Sequence, residues 1–171
     1  VSGSLLGPVH LGQCRLSDGI DTVEIEALHL QWQPQALLQG RLVIDAIDLE
    51  KLHVDLGPSS SDPTLPPLSL PFPLEVARIQ VDTILISDHN EAVLHLKQGR
   101  LHRLHYQGEQ LRLAEFSLRK DDSTLRGQGT LRSNRDYLID AHLQADLRFE
   151  GYAPITATAQ CRGPLNALQL T

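Results

Sequence analysis

The chain is poor in the residues that usually build active sites and tight cores. It has no methionine, one tryptophan and only seven aromatic side chains in 171 residues. A filled sandwich core normally recruits more ring volume than that. There are two cysteines, Cys14 and Cys161, near opposite ends. They form no CxxC and stand with no histidine–cysteine cluster, and two are too few to read a redox compartment from, so they read as ordinary residues of apolar strands rather than as a disulfide. No run of about 18 apolar residues exists, so no helix of this chain is long and apolar enough to span a bilayer. No signal-peptide pattern is present. Positive charge is scarce too: 15 basic against 21 acidic side chains give a net charge of −6. That argues against a nucleic-acid or anionic-membrane binder, both of which want a basic stripe. The acid excess lies in the first hundred residues, with 6 basic and 13 acidic groups against 9 and 8 in the rest.

Catalytic motifs are missing as well. There is no GxSxG, no Walker loop and no GxGxxG after a strand. Eight histidines are scattered. His102 and His105 are three apart, which in a strand puts them on opposite faces. His10, His29, His53, His89, His95 and His142 each stand alone. Asp121–Asp122 reads as a turn, and Ser59–Ser61 carry no nucleophile motif. Gly127 and Gly129 share a strand parity, which points to a bend or a close backbone approach rather than a phosphate cradle. The expectation is a protein that is not an enzyme, with no catalytic residue, metal or cofactor.

What is present is leucine, 32 of it, in a recurring spacing. Leu42, Ile44, Ile47, Leu49, Leu52, Val54 and Leu56 step by two and three residues. So do Ile79, Val81, Ile84 and Ile86, then Leu111, Leu113, Phe116 and Leu118, and in short Leu165, Leu168 and Leu170. Two-residue steps hold one face of a strand. A three-residue step flips the face unless a bulge absorbs the extra residue. The spacing predicts long, kinked strands, each apolar on one side. Asp45, Asp48, Glu50 and Asp55 fall on the other, wet side.

Strands are expected over Gly7–Leu16, Val23–Gln33, Arg41–Leu56, Leu74–Ser87, Ala92–Lys97, Leu101–Tyr106, Leu111–Arg119, Thr124–Arg132, Tyr137–Phe149 and Ile155–Cys161. Turns are expected at Ser17–Gly19, Asp88–Asn90, a hairpin at Gln98–Gly99, Lys120–Ser123 and Ser133–Asp136. Pro34 at a helical first-turn position and Gly40 predict one short helix near residues 34–39. Six of the ten prolines fall in 57–73, which therefore reads as a loop or extended crossover and not as a central strand. The strand from Tyr137 alternates most cleanly, with Ile139, Leu143 and Leu147 on its dry side.

The fold class is therefore all-β: a long antiparallel meander curled into an open half-pipe, in a single segment over 1–171. The dry face then reads as a groove lined by Leu42, Ile44, Ile47, Leu49, Leu52, Val54, Ile79, Val81, Ile84, Ile86, Ile139, Leu143 and Leu147. A smooth aliphatic trough suits a hydrocarbon chain. Each buried methylene gains about 0.8 kcal/mol relative to water, so an acyl chain of about sixteen carbons is held by on the order of 12 kcal/mol. A bilayer offers nearly the same, so a lipid enters and leaves without a deep trap. The sequence shows no headgroup site. Other readings of the strands are a scaffold or chaperone-like module offering sheet edges, a closed barrel holding a small apolar ligand, and a pentapeptide-type solenoid. The solenoid fails because the repeat stops at the proline stretch. A closed barrel would make Cys14 and Cys161 neighbours.

Three phrases carry a resemblance. They are Val1-Ser-Gly-Ser-Leu-Leu-Gly-Pro8, the run Leu30-Gln-Trp32-Gln-Pro34-Gln-Ala-Leu37-Leu38-Gln-Gly40-Arg41-Leu42-Val-Ile44, and, after a Pro/Ser-rich break, Leu70-Pro-Phe72-Pro-Leu74. In order and spacing over residues 1–90 they resemble the N-terminal periplasmic part of TamB-type members of the AsmA-like family of Gram-negative bacteria. The resemblance implies a β-taco groove crossing the periplasm, an inner-membrane anchor upstream of Val1 and further strands after Thr171. It also implies phospholipid as cargo between inner and outer membranes and a link to outer-membrane protein assembly. The barrel partner TamA would dock through regions outside this chain.

Overall fold

A computed structural model of the chain describes residues 2–3, 7–17, 21–57, 70–88, 91–133, 137–164, 167 and 169–170. The strands in chain order are β1 (Ser2–Gly3), β2 (Val9–Ser17), β3 (Thr22–Trp32), β4 (Leu42–Leu56), β5 (Leu74–Asp88), β6 (Glu91–Leu96), β7 (Gln98–Gln107), β8 (Gln110–Lys120), β9 (Ser123–Arg132), β10 (Leu138–Leu147), β11 (Ile155–Pro164) and β12 (Gln169–Leu170). They form one sheet in the order β1-β2-β3-β4-β5-β7-β8-β9-β10-β11-β12, with β6 also on β5. The sheet is open, not closed into a barrel. A short helix, α1 (Pro34–Leu37), has Pro at its start and Gly40 at φ +69° beyond its end, as expected. The turns read at Asp18–Gly19, His89–Asn90 and 134–136 lie outside the described residues. So do 58–69 of the proline-rich stretch and Leu165 and Leu168 of the last spacing.

Two expectations need correction. The sheet is antiparallel except at its centre, where β4 and β5 run parallel from Leu42↔Leu74 to Leu56↔Asp88. The steps 42, 44, 47, 49, 52, 54 and 74, 76, 79, 81, 84, 86 are both two-three-two-three-two. That series is the same in either direction, so spacing alone could not orient the pair. Gln98–Gly99 is not a hairpin turn. Gly99 pairs Val81 on β5 and Leu118 on β8. The register sum of β6 with β5 (Ile84↔Leu96) continues unchanged into β7 (Val81↔Gly99). Thus β6 and β7 are one line of chain along β5, broken only at Lys97. Gly99 occupies an apolar position, where a Cβ would lie 2.7 Å from the end of the Ile84 side chain.

The three-residue steps are absorbed in a way the isolated strands do not suggest. Neighbouring strands carry the step in the same row. Between β2, β3, β4, β5 and β6–β7 the row passes through Gly12, Ala27, Glu50 and Asp82, with pairing in register on both sides. A second row passes through Ala77 and Arg103 on β5 and β7 and Ala114 on β8. Along these two rows the strands slip together, so none of them slips relative to its neighbour there. Ala27 (φ +50°) and Arg103 (φ +53°) turn the backbone through the left-handed region at these rows. Register shifts appear where a stepped strand meets a straight one. One lies at Leu113/Phe116, where β8 steps by three against β9, whose Leu125, Gly127, Gly129 and Leu131 step by two. Another lies at Gln31/Trp32, where β4 steps and β3 does not. A third lies at Ile86/Ser87.

Gly127 and Gly129 are places of close approach, as read. A Cβ on Gly127 would sit 2.6 Å from the Phe116 ring and 2.7 Å from the His142 carbonyl oxygen. Gly127→Ala is expected to cost about 1–3 kcal/mol by overpacking a paired backbone. Ala27→Gly is expected to add roughly 0.5–1 kcal/mol, because only glycine takes the left-handed region freely. Urea unfolding of both variants measures the two signs.

Candidate functional site: an uncovered apolar face

Register partners in a sheet share a face, so the pairings trace the apolar face row by row. One row runs Leu42, Leu74, Tyr106, Leu111, Leu131, Ile139 across six strands. Another runs Val9, Leu30, Ile47, Ile79, Leu101, Phe116, Gly127, Leu143, Ala159, from β2 to β11. A third runs Cys14, Ile25, Leu52, Ile84, Leu96. All thirteen residues read as groove lining lie on this face. Ile44 pairs Val76, Leu49 pairs Val81, Val54 pairs Ile86 and Leu147 pairs Ile155. Sequence reading left Leu74, Val76, Leu101, Leu104 and Tyr106 out of the lining. Their own two-and-three spacing, continued backward through Gly99 to Leu96 and Leu94, was the signal that places them there.

This face is not the inside of a core. Twelve of the thirteen residues are half-buried and only Val81 is buried. Among the described residues, the buried apolar side chains are Ala36, Ala46, Val76, Val81, Leu96, Tyr106 and Cys161. The chain exposes 11677 Å², where a compact monomer of its mass would expose about 8300 Å². One end of the face is partly covered. Tyr106 is 1% exposed and its hydroxyl accepts a hydrogen bond from the Leu70 amide at 3.4 Å. The Leu42 amide donates to the Pro73 carbonyl at 2.9 Å, and Ala36 of α1 is buried nearby. Cys14 and Cys161 are free and lie on strands separated by seven others in the sheet order. The closed-barrel reading falls because the sheet is open, with no pairing between its two ends among the described residues.

The opposite face is held by cross-strand ion pairs that fix register. Arg15 faces Glu24, Lys51 Nζ lies 2.8 Å from Glu26, Arg78 3.0 Å from Asp48 and Arg162 3.2 Å from Asp140. His10 and His29, directly paired, stack at 4.3 Å between ring centroids. The nearest approach to a catalytic constellation is also here. His53 Nε2 is 2.8 Å from Ser87 Oγ and its Nδ1 3.6 Å from Glu24. Ser87, however, is buried and donates its hydroxyl hydrogen to Asp55 at 2.7 Å. A nucleophilic serine must instead surrender that proton to its histidine while facing substrate. This cluster ties β3, β4 and β5 together. No group of three metal-ligating side chains occurs among the described residues.

Comparison with protein-family models, characterised proteins and solved structures returned no match.

Three carboxyls are held below their usual range. Burial pulls Glu24 upward, but hydrogen bonds and charge from Arg15 and His53 outweigh it. Lys97 lowers Asp121, and Arg162 lowers Asp140. Glu26 raises Lys51. A lowered carboxyl stabilises the fold above its unfolded pKa and loses that contribution as pH falls through the folded one. A raised lysine contributes below its unfolded pKa and loses that contribution as pH rises above it. Thermal unfolding is therefore expected to be flat near neutrality and to fall below about pH 4. In Glu24→Gln the acid fall becomes shallower, which a melting series from pH 3 to 7 reads directly.

Proposed function

We propose that the chain is a segment of a hydrophobic groove that carries phospholipid acyl chains between the inner and outer membranes of a Gram-negative periplasm. The observation that carries this reading is the apolar face itself. It is continuous from β2 to β11, aliphatic, half-exposed and uncovered over most of its extent by any described residue. A water-soluble protein rarely leaves so large an apolar surface without an occupant. The edge also supports it. β12 pairs only Cys161 and Arg162 of β11 among the described residues, so β11 from Ile155 to Gln160 offers ladder groups to further strands. Those strands are what the resemblance to TamB-type AsmA-like proteins implies. The same resemblance suggests the tether to the inner membrane, the link to outer-membrane protein assembly and the distant partner TamA.

The open β11 edge also favours a second reading, a scaffold that captures strands of other β-proteins by strand addition. Charge substitutions and edge substitutions separate the two. Ile47→Asp and Leu143→Asp place a carboxylate in the middle of the apolar row. They are expected to cut co-purified phospholipid, counted by native mass spectrometry, at least tenfold while circular dichroism stays β-rich. Thr158→Pro on the β11 edge should leave lipid occupancy intact. If lipid is absent from the wild-type protein, the groove reading fails. If Thr158→Pro abolishes capture of an unfolded outer-membrane barrel while the Asp variants do not, the scaffold reading replaces it.

A further inference from the structure

The polar face carries a site of its own, on the half of the sheet built from β7 to β11. A cavity of about 470 Å³ opens there toward the β10–β11 turn. Its wall holds four guanidinium groups, from Arg100, Arg119, Arg126 and Arg148, against two carboxylates, Asp122 and Asp146. In a chain of net charge −6 this is a local reversal of sign. Ser117 stands at the centre of the cluster. It pairs Arg100 on one side and Arg126 on the other, and Arg119 lies two residues along the same face. Neighbouring strands are about 4.8 Å apart and alternate residues about 7 Å, which puts the Cα atoms of these three arginines within roughly 10 Å of one another.

Elsewhere on this face Arg15, Lys51, Arg78, Lys97 and Arg162 each meet a carboxylate, while Arg112 and Arg132 stand singly outside the cavity. The guanidinium groups of Arg100, Arg126 and Arg148 meet none among the described residues, although two carboxylates share their cavity. Arg119 gives its Nε–H to the Asp121 carbonyl at 3.1 Å and keeps its other N–H groups. None of these arginines is directly opposite another: Arg100 and Arg126 each face Ser117, and Arg119 faces Thr124, so the cluster leaves room between its guanidinium groups for an anion. Guanidinium forks match phosphate oxygens in pairs, and the Ser117 and Thr124 hydroxyls add donors in the same cavity.

We propose that this cavity binds a phosphate group, carried by a lipid headgroup or by a small soluble phosphate compound. Its position suits the first source, and that branch rests on the groove reading. Leu147 and Ile155, paired on the apolar face, also border the cavity. Phe149, Tyr152 and Ile155 are 55%, 78% and 51% exposed beside it. A phospholipid at this rim would seat its phosphate among the arginines and lay its acyl chains over the rim onto the apolar face.

Isothermal titration of the whole chain at low salt tests the site with two probes, inorganic phosphate and dihexanoyl phosphatidylethanolamine below its micelle concentration. Saturable binding of at least one probe is expected. It should fall at least tenfold in the double variant Arg100→Gln/Arg126→Gln and stay unchanged in Arg112→Gln, an exposed arginine of β8 outside the cavity. Binding of both probes marks a general phosphate site, and binding of the lipid alone marks a headgroup site. Ser117→Asp, which sets a carboxylate among the guanidinium groups, should abolish binding while the melting temperature holds or rises. Absence of binding by the folded wild type, binding indifferent to the double variant, or a large loss of stability in both variants would overturn the proposal. The groove reading is tested separately, because Ile47→Asp and Leu143→Asp act on the other face.

Discussion

Cross-strand register is the constraint on which the rest of this molecule depends. The side-chain period of a strand is two, so a slip of one residue in any strand turns its leucines to water and its carboxylates to the apolar face. The sheet has no second layer among its described residues to correct such an error. It is specified instead by pairs within the sheet: leucine and isoleucine rows on one side, ion pairs such as Arg15 with Glu24 and Lys51 with Glu26 on the other. Both sets of pairs are satisfied in the same register and in no register shifted by one.

The three-residue steps sharpen that constraint. A single stepped strand in a straight sheet must bulge, and bulges do occur where β8 meets β9 and where β4 meets β3. Where five successive strand lines carry the step together, the ladder stays whole on both sides of the row. The extra residues then act as a crease across the sheet. Bulged and left-handed positions bend strands and increase their twist, and aligned ones do so for the sheet as a body. A crease made this way keeps the apolar face apolar across the bend, which a slip in one strand alone would not.

Much of this was legible in the chain. The steps, the one-sidedness, the short helix started by Pro34 and the close approach at Gly127 all follow from residue type and spacing. Three things were not legible, each for a physical reason. The direction of β5 relative to β4 was hidden because a two-three-two-three-two series reads the same both ways. The continuity of β6 and β7 was hidden because Gly99 stands where an aliphatic residue would have continued the pattern, and a glycine after a glutamine resembles a turn. The arginine cluster was hidden because Arg100, Arg119, Arg126 and Arg148 are spread over 49 positions of sequence. Only the pairing of β7, β8 and β9 brings the first three around Ser117.

The two faces also divide the work of stability differently along the sheet. On β2 to β5 the polar face is acidic, and Glu24, Glu26, Asp48 and Glu75 are each matched by a cation, so charge there serves register. On β7 to β11 the same face holds Arg100, Arg126 and Arg148 unmatched beside a cavity, so charge there does not serve register in the same way. The apolar face shows the same asymmetry. Around Tyr106 and Ala36 it is closed by the chain's own segments, while along β10 and β11 it runs out to exposed Phe149, Tyr152 and Ile155. Both the uncovered hydrocarbon surface and the unmatched guanidinium groups meet at that one rim. That shared rim is why the proposed phosphate site and the proposed groove are tested with a probe that carries both a phosphate head and acyl tails.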